Sequence, residues 1–171
     1  MSLVWHDRNE IRSSLVCRVV HAYLMPALEL GPHSIKRLLR QVPSEKIDIP
    51  TEEGRFTPRE VIAHLADWEP VFLQRMQTAK SCPMARVDVY DEAQWAIEHA
   101  YGAKDPLAQA DLFLQRRKQT IEWLSVLAPD DWKLTFTHPE RGEMTIEDQA
   151  NMLVGHDRYH VEQLTGVLER D

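Results

Sequence analysis

The hydrophobic positions of this chain recur mostly every three to four residues, which is the period of an amphipathic helix. Alternation with a period of two, typical of strands, is scarce, so the pattern predicts an all-α protein. Long helical segments are predicted over roughly 8–25, 33–42, 57–79, 105–127 and 145–168, with a short one over 91–101. The first segment is expected to end near Pro26, and Gly31-Pro32 is expected to separate it from the second. The remaining four long segments favour an antiparallel four-helix bundle.

Three helix starts carry capping signals, in which a Thr or Asp cap precedes a proline or an acidic residue. They are Thr57-Pro58-Arg59-Glu60, Asp105-Pro106 and Thr145-Ile146-Glu147-Asp148. Pro70 lies inside the helix that starts at Thr57 and is expected to kink it, because its ring displaces the carbonyl of Ala66. The connection that contains Trp132, His138-Pro139 and Gly142 is expected to be a loop.

The apolar stripes of the last two helices predict which faces are buried. The first stripe consists of Leu107, Ala110, Leu114, Arg117, Ile121, Leu124 and Ala128. The inward positions of the closing helix are Ile146, Ala150, Leu153, Asp157, His160, Leu164 and Val167. With 171 residues the chain is long enough for one core. We predict an N-terminal helical extension over 1–29 and a bundle domain over 30–171.

Composition narrows the classes of function. A formal charge of −7 and a pI near 5.6 argue against a nucleic-acid partner. No stretch approaches the roughly 20 apolar residues of a membrane helix, and the charged N-terminus is a poor signal peptide. Cys17 and Cys82 form no CxxC motif and suggest reduced thiols. We therefore expect a cytoplasmic protein that acts on a small-molecule substrate.

His156 and His160 are four residues apart on the predicted closing helix. Their imidazoles project from nearly the same face, roughly 6 Å apart along the axis, so they can hold one transition-metal ion. Two ligands rarely suffice for a metal site. A zinc protease of the HExxH type is disfavoured, because Asp157 replaces the glutamate and no histidine follows His160.

His64 is the candidate for the third ligand. It lies in the second turn of the helix after Thr57 and borders an apolar stripe of Val61, Leu65, Trp68 and Phe72. A bundle that buries this stripe against the closing helix brings His64 toward the histidine pair. The alternative is a hydrogen-bonded core histidine. Three neutral imidazoles leave a coordination position open, which is typical of a catalytic site.

Two runs and their lead-in resemble the DinB/YfiT-like superfamily over about residues 30–168. The runs are Thr57-Pro58-Arg59-Glu60-Val61-Ile62-Ala63-His64-Leu65-Ala66-Asp67-Trp68-Glu69 and Gly155-His156-Asp157-Arg158-Tyr159-His160-Val161-Glu162-Gln163-Leu164, and the lead-in is His138-Pro139-Glu140-Arg141-Gly142-Glu143-Met144-Thr145. The resemblance implies a four-helix bundle with a three-histidine site for nickel, zinc or a similar divalent ion. The matching positions are His64, His156 and His160. Pro70 and residues 1–29 depart from the family pattern.

The family that the chain resembles includes metal-dependent hydrolases and S-transferases that use a low-molecular-weight thiol. The resemblance also implies a homodimer. Three hypotheses follow. The first is a hydrolase in which the ion activates water. The second is a metal-dependent thiol S-transferase, and the third is a non-catalytic binding protein stabilised by the metal.

Three polar residues near the predicted ligands each allow two interpretations. Asp157 orients an imidazole or forms a salt bridge to a neighbouring helix. Arg117 recognises an anionic substrate or forms an internal ion pair, with Asp157 or Asp67 as partner. Gln163 lines the site or bonds across the bundle. No inward Asp or Glu stands out as a catalytic base, and His138 is interpreted as a residue of a structured loop.

Overall fold

The computed structural model describes residues 22–50 and 52–170. Its helices are α1 (Leu24–Leu39), α2 (Pro58–Ser81), α3 (Glu92–Glu98), α4 (Pro106–Ser125) and α5 (Ile146–Leu168). Its strands are β1 (Thr135–His138) and β2 (Gly142–Thr145). The four long helices confirm the predicted all-α bundle. Within the described residues, no helix has both the length and the apolar character that crossing a membrane requires.

The four long helices pack in a ring in which α2 and α1 each contact both α4 and α5. Consecutive helices α1 and α2 therefore lie across the bundle from each other. Arg116 contacts Ala66 and Thr120 contacts Glu69, so the contacts advance in the same direction along α4 and α2. These two neighbours run parallel, and residues 82–105 must cross the length of the bundle to join them. That crossing segment carries α3 to the side of α2.

The predicted caps form as the sequence indicates. The Thr57 hydroxyl accepts a hydrogen bond from the Glu60 amide, and the Glu60 carboxylate accepts one from the Thr57 amide. Thr145 and Asp148 form the same reciprocal pair at the start of α5. Asp105 caps α4 through the amide of Ala108. These caps fix where α2 and α5 begin, and hence which residues face each other across the bundle.

The predicted break at Gly31-Pro32 is wrong, because α1 runs without interruption from Leu24 to Leu39. Pro32 leaves the carbonyl of Leu28 without its helical donor, and Arg117 Nη1 of α4 donates to that oxygen at 3.0 Å. Residues 1–21 lie outside the described part of the chain, so most of the predicted helix over 8–25 lies there too. The predicted boundary at residue 30 falls inside α1, and the division into extension and bundle stays a prediction.

The helix α2 continues through Pro70, and the kink at this residue stays a prediction. The carbonyl of Ala66 loses its helical donor to the proline ring, and Arg116 Nη1 donates to it at 2.7 Å. Adjacent arginines of α4 thus supply hydrogen bonds that prolines remove from two other helices. A proline inside a helix costs less when a side chain replaces the missing donor.

The connection before α5 contains an antiparallel hairpin instead of the predicted loop. Thr135 pairs with Thr145, and His138 pairs with Gly142. Phe136 and His138 point inward, and Gly142 adopts a φ of 79° at the turn. Strands of four residues are too short to give a clear alternating pattern, which is why the periodicity did not indicate them.

The two larger buried apolar clusters lie within the bundle. One contains Trp68, Phe72 and Leu153 with the hairpin residue Phe136, and the other contains Val61, Leu65, Phe113 and Leu164. The predicted inward positions of α5 are all buried. On α4 the buried stripe is shifted from the prediction and consists of Ala110, Phe113, Arg117, Thr120 and Leu124. The bundle also buries polar residues of α2, α4 and α5.

Candidate metal centre

The side chains of His64, His156 and His160 converge between α2 and α5. The Nε2 atom of His156 lies 3.0 Å from that of His64 and 3.1 Å from that of His160. Nitrogens that share one ion through bonds of roughly 2.0–2.1 Å stand roughly 3–3.4 Å apart. Two of the three nitrogen pairs therefore have the spacing of ligands to a single transition-metal ion, and one ring nitrogen of each histidine lies within 4.8 Å of the other two.

Burial keeps all three imidazoles neutral. Burial lowers the pKa of His64 to about 3 and that of His160 to about 4. Burial also holds the pKa of His156 well below its usual value, with the two neighbouring histidines adding to the effect. Neutral imidazoles have the free lone pair that metal coordination requires.

Gln163 holds one of the three rings. Its Oε1 lies 3.0 Å from His160 Nδ1, and its Nε2 donates to the carbonyl of Phe56 at 3.0 Å. With Nδ1–H bonded to this amide, the lone pair of His160 is on Nε2, which faces the other two histidines. Both interpretations of Gln163 therefore hold, because its side chain supports the histidine site and also bonds across the bundle.

Aromatic rings pack around the other two histidines. Phe56 and Trp68 lie 5.4 and 5.5 Å from the ring of His64, and Phe72 lies 5.5 Å from that of His156. His64 Nδ1 is buried without a hydrogen-bond partner among the described residues. The apolar packing fixes the ring of His64, and Gln163 fixes the ring of His160.

A cleft of about 280 Å³ opens onto the three histidines. Its remaining walls come from the 54–56 loop, the start of α3 and the outer face of α5, and consist of Gly54, Arg55, Phe56, Glu92, Ala93, Tyr159 and Gln163. At the rim, Arg55 Nη1 donates to the Tyr159 hydroxyl at 2.6 Å. The histidine cluster is thus accessible to a small molecule, as a catalytic metal site must be.

The sequence of this chain matches a known protein family. The family model described as "DinB superfamily" matches residues 27–164. The chain belongs to the DinB superfamily. A relative from Oceanobacillus iheyensis, named "Putative metal-dependent hydrolase OB0782", is 27% identical over 139 residues, which cover 81% of this chain and 80% of the relative. YfiT of Bacillus subtilis carries the same kind of name and is 25% identical over 144 residues, covering 84% and 81%.

Solved structures show the same fold. The structure of Bacillus subtilis YfiT, described as having an unusual four-helix bundle topology, matches with a TM-score of 0.81 at 20% identity, covering 98% of this chain and 90% of that one. A mycothiol-dependent maleylpyruvate isomerase matches with a TM-score of 0.69 at 17% identity, covering 84% and 60%.

In this DinB-superfamily protein, Glu92 is a site residue that sequence reasoning missed. It is the one carboxylate among the described residues that line the cleft. Asp91 caps α3 immediately before it through the amides of Ala93 and Gln94. Packing around its carboxylate raises the pKa of Glu92, and the charges of Arg141 and Arg75 oppose the rise. The only sequence signal at Glu92 was the start of the short helix predicted over 91–101.

Arg117 and Asp157 form an internal network behind the cleft. Arg117 is 2% exposed and donates to both oxygens of Glu69 and both oxygens of Asp157. Its fifth N–H bonds the carbonyl of Leu28, so all five donors are used. The structure thus shows the internal ion pair and leaves no donor of Arg117 for a substrate. Asp157 forms the salt bridge rather than orienting an imidazole, and Asp67 pairs instead with Arg116.

Gly31 of α1 makes room for this network. A Cβ placed on Gly31 would lie 2.1 Å from Asp157 Oδ2, well inside contact distance. The carboxylate of Asp157 therefore packs directly on the backbone of α1. Gly31, read from the sequence as a helix break, is a packing requirement within a continuous helix.

The other described histidines lie outside the cluster. His33 is exposed on α1, and His99 stacks on Trp95 at 4.5 Å. His138 is buried in β1, where its Nδ1 accepts from the amide of Glu140. Cys82 is exposed and free, while Cys17 lies outside the described residues.

Proposed function

We propose that the protein is a metal-dependent hydrolase in which His64, His156 and His160 hold one divalent transition-metal ion. The observation that carries the proposal is the convergence of three neutral Nε2 atoms on one point at the floor of an open cleft. The names of the family relatives, metal-dependent hydrolases, support the same class. A nickel or zinc ion suits three imidazole ligands.

A divalent ion bound at such a site lowers the pKa of a coordinated water toward neutrality and polarises a substrate carbonyl. Three neutral ligands leave the charge of the ion uncompensated. Glu92 faces the same cleft and can accept a proton at its carboxylate. Its raised pKa makes it a better proton acceptor near neutral pH than an ordinary glutamate. Gln163 keeps the tautomer of His160 that places its lone pair toward the ion.

Hydrolysis is tested with nitrophenyl esters, nitroanilides and aryl phosphates, using protein loaded with nickel or zinc. We expect metal-dependent turnover of at least one class without added thiol, abolished by chelation and restored by readdition of metal. Parallel reactions with low-molecular-weight thiols and a model electrophile distinguish the S-transferase hypothesis from hydrolysis. Turnover that appears only with thiol would contradict hydrolysis. Loss of turnover with an unchanged melting temperature on chelation would reject the purely structural role.

Replacing Glu92 by Gln should lower kcat by roughly 10²–10⁴-fold, because the amide cannot take the proton. The metal content should stay at the native level, since Glu92 is not one of the three clustered ligands. Steady-state kinetics with metal analysis of the same preparations checks both expectations. Glu98→Gln, an exposed change on the same helix α3, is the matched control and should leave kcat unchanged. An equal kcat in the two variants would show that Glu92 takes no part in the reaction.

A further inference from the structure

Arg55 is the one arginine or lysine, among the described residues, that lines the histidine cleft. It lies on the loop before α2, and its side chain is 53% exposed, so its guanidinium is accessible to a ligand. Within the described part of the chain this guanidinium makes one hydrogen bond, to the Tyr159 hydroxyl. Its other N–H donors are therefore available. Arg117, which the sequence offered for an anionic substrate, has no donor left.

Arg55 and Tyr159 lie at the boundary between the histidine cleft and a second cavity of about 260 Å³. Both residues, together with Gln163, line the cleft as well as this cavity. Arg170 adds another guanidinium to the lining of the second cavity. Small-molecule sites usually occupy roughly 300–1,000 Å³, and the two cavities together reach that range. A molecule that reacts at the histidines therefore has room to extend past Arg55.

The loop that carries Arg55 is held in place before a ligand binds. Arg55 Nη1 donates to the Tyr159 hydroxyl at 2.6 Å, and the carbonyl of Phe56 accepts from Gln163 Nε2 at 3.0 Å. Both partners belong to α5, the helix that also carries two of the three histidines. Arg55 is thus fixed relative to the histidine cluster by direct contacts, and little ordering is required when a ligand binds.

The nearby carboxylates leave Arg55 available to a ligand. The Nε atom of Arg55 lies 3.7 Å from Oε2 of Glu52, which is longer than a hydrogen bond, and both side chains are exposed. Such exposed pairs contribute little to stability and exchange readily with other partners. Glu162 lines the second cavity but is paired with Arg158 at 3.1 Å. Glu92 lines the histidine cleft and forms no ion pair with Arg55 in the described structure.

We infer that Arg55 binds an anionic group, a carboxylate or a phosphate, of a small substrate whose reacting bond lies at the three histidines. Guanidinium groups recognise both kinds of anion through paired N–H donors. The position of the reacting bond rests on the proposed function. Anion binding at Arg55 is independent of that function, because it requires neither a metal ion nor turnover.

Binding is measured by NMR titration of the metal-free full chain with benzoate and with phenyl phosphate, followed at the amides of Tyr159 and Gln163. The metal-free chain is used because a bound ion would itself bind the anions. We expect the native protein to bind at least one of the two anions, with roughly tenfold weaker affinity in Arg55→Gln. Tyr159→Phe removes the hydroxyl that holds the guanidinium and should weaken binding roughly threefold.

Two controls separate recognition of charge from a change in the shape of the cleft. Benzamide, the neutral analogue of benzoate, should give the same response in the native protein and in Arg55→Gln. Arg37→Gln, an exposed change on α1 with the same loss of charge, should bind the anions like the native protein. Absence of anion binding to the native protein, or equal anion affinity in Arg55→Gln, overturns the inference. An equal loss for benzoate and benzamide overturns it too.

The link to the substrate is tested with metal-loaded protein and the nitrophenyl esters of adipic and hexanoic acids, which differ in a carboxylate remote from the ester. In Arg55→Gln, KM for the adipate ester should rise roughly tenfold more than KM for the hexanoate ester. The same rise for both esters overturns the link. Native protein that binds an anion at Arg55 but hydrolyses neither these esters nor the nitroanilides and aryl phosphates would defeat the proposed function while the anion site stands.

Discussion

Replacing His64 and His156 together by alanine should abolish stoichiometric metal binding. The two Nε2 atoms stand 3.0 Å apart, and their loss leaves His160 as the remaining member of the cluster. One imidazole cannot hold a divalent ion against buffer, so we expect about one ion per native chain and close to none in the variant. The metal content of the native protein and of the variant is measured after reconstitution with nickel or with zinc, followed by gel filtration.

The control for this experiment is His33→Ala, which removes an exposed histidine of α1 and leaves the cleft intact. It should retain the native metal content. Circular dichroism of the double variant shows whether the bundle still forms, so that metal loss is not confused with unfolding. Undiminished metal content in a folded double variant would remove the ligand assignment and the hydrolase proposal with it.

The positions of the three histidines could be predicted because they depend on local signals. The cap at Thr57 sets the start of α2 and places His64 in its second turn. The period of α5 places His160 inward, with His156 one turn before it. Each signal lies within a few residues of the position it determines. The approach of His64 to the histidine pair, in contrast, was expected from the bundle and from the family resemblance.

The continuity of α1 could not be predicted, because its cause is distant in sequence. Pro32 breaks a helix in the absence of a donor for the carbonyl of Leu28. The donor is Arg117, which is 89 residues away. Gly31 likewise looks like a helix breaker until Asp157 is placed against it. Local rules gave the wrong result where tertiary contacts satisfied the backbone.

Glu92 and the hairpin were missed for a related reason. Glu92 reaches the cleft because α2 and α4 are parallel and the segment between them must cross the bundle. The order of helices around the bundle is not encoded in the period of any one of them. A carboxylate on a connection therefore gave no local sign that it lies beside the histidines.

Replacing Arg117 by methionine should lower the free energy of unfolding by roughly 3–5 kcal/mol, because it leaves the carboxylates of Glu69 and Asp157 buried without a cation. Both carboxylates are almost fully buried, and the carbonyl of Leu28 also loses its donor. For a protein of this size, the change corresponds to a fall in melting temperature of roughly 10 °C. Differential scanning calorimetry of metal-free protein measures it without a contribution from bound ion.

The reason for the loss is tested by a triple variant, Arg117→Met with Glu69→Gln and Asp157→Asn. Removing the two uncompensated charges should recover more than half of the lost stability, since the damage comes from unpaired carboxylates rather than from a missing attraction. A single variant that melts within about 2 °C of the native protein would contradict the network's role.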